Sequence, residues 1–162
     1  MTGTDEAHFR GIDPDGNLNL SVDPCRYFTL DQFNSSFSAD GNNYMLLNQN
    51  IQSFHAKKAI FEAFLDSLSA PLNTIVLTET CNDSHNLQLC KIDNFEPVHT
   101  HRSVRQSQHG RIGGGVSIFA NTTIYDIKKI DELSLCNDSI ETCVARIHRL
   151  NNVEYEHFIV GV

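Results

Sequence analysis

Two polar residues close apolar runs at places where chemistry is often found. Asn50 ends YMLLNQN, and Glu79 follows the β-branched run of NTIVLTET with a threonine on either side. In open α/β sheets, ligands gather beyond the carboxyl ends of the strands. A carboxylate and an amide set side by side there would hold one hard cation and orient a phosphate. Mg²⁺ suits such a pair, because it prefers oxygen ligands, keeps several waters and takes only one or two carboxylates. The same residue types also end strands as plain turn and cap residues. The two residues by themselves leave both readings open.

Other candidates are weaker. PVHTHRSVRQSQHGRI, residues 97–112, carries three arginines (Arg102, Arg105 and Arg111), three histidines and no acid. It reads either as a solvated loop or as a loop that contacts phosphates, which need such donors. Gly113–Gly115 is no phosphate-binding P-loop, since no Gly-Lys-Ser/Thr follows. It reads as a tight turn into a strand, with the backbone close to a neighbour. DPDGNLN, from Asp13, fails as a calcium loop: Gly16 falls at loop position four rather than six, and Pro24 takes the place of the closing Glu. Asp83-Ser84-His85 sets an acid near a histidine, but spacing alone assigns it no role.

The elements that position these residues follow from periodicity. YMLLNQN reads as a strand. Ser53 precedes a helix over roughly Ala56–Ser69, with Ile60, Phe61, Phe64, Leu65 and Leu68 on one face and Pro71 as its stop. TIVLT is then a short buried strand, pairing parallel to the first. Cys81 to Ile112 reads as irregular. GGGVSIFA, TIYDIKKI, TCVARI and HFIVGV are further strands, close enough together to be antiparallel. In the N-terminal piece, RYFTLDQFNSSF supports a short helix, with Thr29 as cap and Gln32 three residues on. The result is an α/β chain, with a βαβ start and mostly antiparallel strands after it.

Composition sets the frame. The chain has 162 residues, 40% of them hydrophobic, enough for one domain with a core. The net charge of −8 argues against a simple nucleic-acid binder. The acid is uneven: residues 1–43 hold seven acids against two bases, residues 44–162 thirteen against ten. We therefore read 1–43 as a polar, acidic, partly disordered leader and 44–162 as the domain. Five cysteines, with no CxxC pair, favour reduced thiols over zinc or disulfides. The polar start MTGTDEAHFRG is no secretory signal, so an intracellular protein of nucleus or cytoplasm is expected, not secreted and without a membrane span. The sequons at Asn34, Asn82, Asn121 and Asn137 are read as chance.

Taken in order, LNQNIQSF, a helix, IVLTET, GGGVSIFA, a Glu141–Ile147 strand and FIVGV resemble the endonuclease of non-LTR (LINE-type) retrotransposons. That domain belongs to the endonuclease/exonuclease/phosphatase superfamily, which is DNase I-like. The stretch DPDGN…CRYFTLDQFN resembles the leader found before it in some such elements. The resemblance implies a DNase I-like α/β sandwich and metal-dependent hydrolysis of a DNA phosphodiester, with Mg²⁺ or Mn²⁺ and no small-molecule cofactor. It makes Asn50 the active-site asparagine and Glu79 the metal ligand. The basic run would then supply DNA contacts at Arg102, Arg105 and Arg111. Glu141 matches an acid of a scaffold strand, without a catalytic role.

The family's later motifs, a Tyr-Arg-Pro-Pro-type segment, an Asp-x-Asn pair and a Ser-Asp-His, do not occur in these residues. The chain is therefore expected to match the first half of the domain, truncated at its C-terminus, and not to cut DNA alone. The alternatives are another phosphoesterase of the same fold, of lipid or inositol phosphatase type, and a remnant with no enzyme function.

Overall fold

Thr74–Thr78 (β2) is buried along nearly its whole length, which is why TIVLT reads as unbroken apolar and β-branched residues. In the computed structural model, which describes residues 27–37, 44–82, 86–101, 113–137 and 140–162, this strand is the middle of a mixed sheet. Leu46–Asn50 (β1) pairs parallel to it, and Val116–Asn121 (β4) pairs antiparallel on its other side. Phe95–Thr100 (β3) completes the sheet beside β4. Ile75 and Leu77 of β2 enter one core with Phe54, Phe61 and Phe119, while Val76 enters a second core with Val116 and Ile118.

The crossover helix, Phe54–Asp66 (α2), starts and ends earlier than its periodicity implied. Its buried stripe is also narrower. Phe61 is 4% exposed and Phe54 fully buried, whereas Ile60 is 74% exposed and Phe64 37%. Phe54, Phe61, Leu65 and Leu68 carry the contact with the sheet, and Ile60 faces away from it.

The stretch expected to be irregular contains β3. Pro97 hid it, since proline cannot donate to a ladder. β3 tolerates Pro97 because it is an edge strand bonded only to β4. The later strands separate into two sheets. β4 joins β2, while Tyr125–Lys129 (β5), Leu135–Cys136 (β6), Glu141–Arg149 (β7) and Asn152–Gly161 (β8) form an antiparallel sheet around β7. Tyr125, Ile127, Cys143, Ala145 and Ile147 pack from this sheet onto Val76, Val116 and Ile118, so the two sheets share a core. Gly161 of β8 packs closely on β4, where a Cβ would lie 2.5 Å from Val116 Cγ1.

The chain is thus mixed α/β, with two helices among the described residues and two sheets of mostly antiparallel strands. Its two compact units are Met1–Ser36 and Phe37–Val162. The first contains Leu30–Ser36 (α1). Thr29 and Gln32 form the capping box expected there: Gln32 Oε1 accepts Thr29 N–H at 2.9 Å, and Thr29 Oγ1 accepts Gln32 N–H at 3.3 Å. The calcium-like Asp13 loop lies outside the described residues, as does most of the acidic leader. Among the described residues, no helix is long and apolar enough to cross a membrane. Among the described residues, Cys81, Cys90, Cys136 and Cys143 form no disulfide.

Candidate metal and phosphate site

Asn50 and Glu79 leave the sheet at the same end. The parallel register sets Asn50 against Thr78, one residue before Glu79. The chain beyond both strands is then stitched together. Ile51 N–H donates to Thr78 O at 3.0 Å, Ser53 N–H to Glu79 O at 2.7 Å, and Phe54 N–H to Thr80 O at 2.9 Å. Paired strands lie about 4.8 Å apart, so the two side chains start from neighbouring positions. Asn50 is exposed, and its amide makes no hydrogen bond among the described residues.

The backbone at this end is unusual. Gln52, Ser53, Glu79 and Cys81 have φ of 49°, 86°, 54° and 53°. Asn94 is the other non-glycine residue with positive φ among the described residues. Each such residue costs on the order of 1–3 kcal/mol, and such outliers gather at functional sites. At Glu79 the left-handed φ breaks strand alternation, so its side chain leaves the direction that Ile75 and Leu77 share.

Gly114 receives that side chain. Gly114 N–H donates to Glu79 Oε2 at 2.9 Å, while Gly115 N–H donates to Glu141 Oε2 at 2.5 Å. The same turn is tied to β2's exit: Thr80 N–H donates to Gly115 O at 3.1 Å and Cys81 N–H to Gly114 O at 2.8 Å. Gly114 and Gly115 have φ of 79° and 89°, and a Cβ on Gly115 would lie 2.7 Å from Thr80 Oγ1. Glycine is required at both. This tight turn was legible in the sequence; its use of two carboxylates was not.

Glu141 is the residue that the sequence reading left without a role. Its signal was parity: residues 141, 143, 145 and 147 alternate along β7, and Cys143, Ala145 and Ile147 all point into the core. Glu141 therefore enters the same end of the sandwich from the second sheet. The thiol of Cys81 is within electrostatic reach of both acids. Burial raises its pKa, and the charges of Glu79 and Glu141 raise it further, so it stays protonated at neutral pH.

A cleft of about 380 Å³ opens at the same sheet end beside β3, lined by His99, Thr100, His101, Lys129, Ser134 and Cys136. Burial lowers the pKa of His99 to about 4, aided by His101 and Lys129, and its Nδ1 lies 2.8 Å from Ser117 Oγ. The run that begins at His99 thus starts in a strand, with a neutral imidazole. Arg102, Arg105 and Arg111 lie outside the described residues, as does Asp83-Ser84-His85.

A hard cation fits this donor set in part. Glu79 is exposed and commits one oxygen to Gly114; the other accepts no hydrogen bond from the described residues. Asn50, at the end of the neighbouring strand, would supply an amide oxygen if turned toward Glu79, and water and phosphate would complete the shell. Among the described residues, no three His, Cys, Asp or Glu side chains group closely enough to hold a metal on their own. Comparison with known proteins finds no family model and no curated protein that matches the chain.

Proposed function

We propose that this chain carries the metal- and phosphate-holding residues of a metal-dependent DNA phosphodiesterase. In this reading the sandwich is DNase I-like, of the endonuclease/exonuclease/phosphatase superfamily, and resembles the endonuclease of non-LTR retrotransposons. One observation carries it: Asn50 and Glu79 end adjacent parallel strands, and Gly114 N–H orients the Glu79 carboxylate where the backbone itself is strained.

Hydrolysis joins a water oxygen to phosphorus and breaks a phosphorus–oxygen ester bond. The water gives up a proton, and the leaving oxygen takes one. A bound Mg²⁺ or Mn²⁺ would polarise the phosphate and stabilise the leaving oxygen. Glu79 fixes the position of that charge. Asn50 donates its amide N–H to a phosphate oxygen and so fixes the angle of attack. Proton transfer needs an acid–base group. His99 is neutral but committed to Ser117, and Cys81 is a thiol kept protonated by burial and by the charges of two acids. Metal and phosphodiester binding, without rapid cleavage, is the activity proposed for these residues.

Calorimetric titration with Mn²⁺ tests this, in the presence and absence of a thymidine dinucleotide. The chain should bind Mn²⁺ weakly, and the dinucleotide should tighten that binding. Glu79→Gln should abolish the Mn²⁺ signal. Asn50→Ala should keep it but lose the effect of the dinucleotide. Equal titrations for the chain and Glu79→Gln would overturn the proposal. Tightening by inositol phosphates and not by the dinucleotide would favour the lipid or inositol phosphatase class. Plasmid nicking that depends on Glu79 would show a complete enzyme.

A further inference from the structure

Glu141 takes no part in the chemistry above, yet it meets the same glycine turn as Glu79. Its carboxylate accepts Gly115 N–H and fills the space that a side chain on Gly114 would need. Gly114 N–H in turn donates to Glu79. Two successive amides are therefore divided between two carboxylates, one from each sheet. Each of the two amides is thus occupied by one of the protein's own acids.

We propose that Glu141 is a positioning residue for Glu79: it pins the Gly114–Gly115 turn to β7, so that Gly114 N–H holds one oxygen of Glu79 and leaves the other for a divalent cation. The role rests on the reading of Glu79 as a metal ligand. A carboxylate at an exposed strand end samples several rotamers. Hydrogen bonds to charged acceptors are short and strong, and the pair at Gly114 and Gly115 restricts that freedom before any cation arrives. Partners that orient a metal ligand in this way cost about 10- to 100-fold in metal affinity when removed. The sequence separation explains why no local motif reveals the link: Glu141 lies on a different sheet from Glu79, and the amides of Gly114 and Gly115 connect the two.

The test compares Glu141→Ala, Glu141→Gln and Glu79→Gln with the unaltered chain. Amide exchange at Gly114 is read by NMR, and Mn²⁺ affinity by calorimetry. Glu141→Ala should speed exchange at Gly114 and weaken Mn²⁺ binding about tenfold. Glu141→Gln keeps an acceptor oxygen for Gly115 N–H, so it should restore most of both. Unchanged Gly114 exchange in Glu141→Ala overturns the proposal, as does a Glu141→Gln no better than Glu141→Ala. If the unaltered chain binds no Mn²⁺, the metal reading of Glu79 fails on its own. Gly114 exchange then decides the positioning role: acceleration reversed by Glu141→Gln supports it, and no change refutes it. Should Glu141→Ala not fold, Glu141→Asp replaces it. One methylene shorter, it keeps the charge but draws back from Gly115, and faster Gly114 exchange is again expected; unchanged exchange refutes the role.

Discussion

Replacing Gly114 by alanine perturbs the site at its hinge. The residue has φ of 79°, which costs a non-glycine residue about 1–2 kcal/mol. The new Cβ would meet both oxygens of Glu141. Glu141 must then swing away and give up Gly115 N–H, a hydrogen bond to a charged acceptor worth about 1.5–3 kcal/mol. Together these give a loss of about 2.5–5 kcal/mol, a large share of the roughly 5–15 kcal/mol of a typical domain. The neighbouring Gly113 provides the control, since a Cβ there meets nothing within 4 Å. Gly113→Ala should change stability by about 0.5 kcal/mol or less. The chain has no tryptophan, so urea unfolding is best followed by far-ultraviolet circular dichroism. A Gly114→Ala midpoint matching that of Gly113→Ala would refute the account of this turn.

Other expectations follow from the same geometry. The pKa of His99 is about 4 in the folded chain against 6.5 when unfolded. Between those values the unfolded state binds the extra proton, so stability rises with pH from 4 to 6.5 and is then level. The slope is at most about 1.4 kcal/mol per pH unit and less with partial exposure. His99→Gln should flatten it, and an unchanged slope would show that another group is responsible. Gly161→Ala would force a Cβ to 2.5 Å from Val116 Cγ1, and overpacking of this kind costs about 1–3 kcal/mol; a melting temperature equal to that of the unaltered chain would show the two sheets to be further apart than described. If Arg102 and Arg105 contact phosphates, replacing both by alanine should reduce the salt dependence of DNA binding by about 0.9 per lost contact in log–log slope. An unchanged slope would leave the run as a solvated loop.

Legibility varied with the range of the interactions. TIVLT and the strand before it were readable because β2 is buried on both faces and β1 is joined to it by one short crossover. The Thr29–Gln32 capping box is local and was equally clear. The α2 stripe was misjudged because Ile60 and Phe64 fit the helical period but face away from the sheet; apolar identity does not fix burial. β3 was missed because Pro97 reads as a breaker and only edge position makes it tolerable. At the site, Asn50 and Glu79 were visible as polar residues closing apolar strands. Glu141 was not, because its part depends on long-range packing of β7 over β4, and on two glycine amides whose donors carry no side-chain identity.

In the proposed function, Glu79 and Asn50 mark a divalent-cation site at the carboxyl end of two parallel strands. Crystals of the chain grown with Mn²⁺ and a dinucleotide phosphodiester allow it to be tested by anomalous diffraction at the manganese edge. An anomalous peak is expected about 2.0–2.3 Å from Glu79 Oε1, with a phosphate oxygen in the same shell and Asn50 in contact with that phosphate. Manganese found elsewhere on the chain, with none at Glu79 although Gly114 still holds its other oxygen, would contradict it.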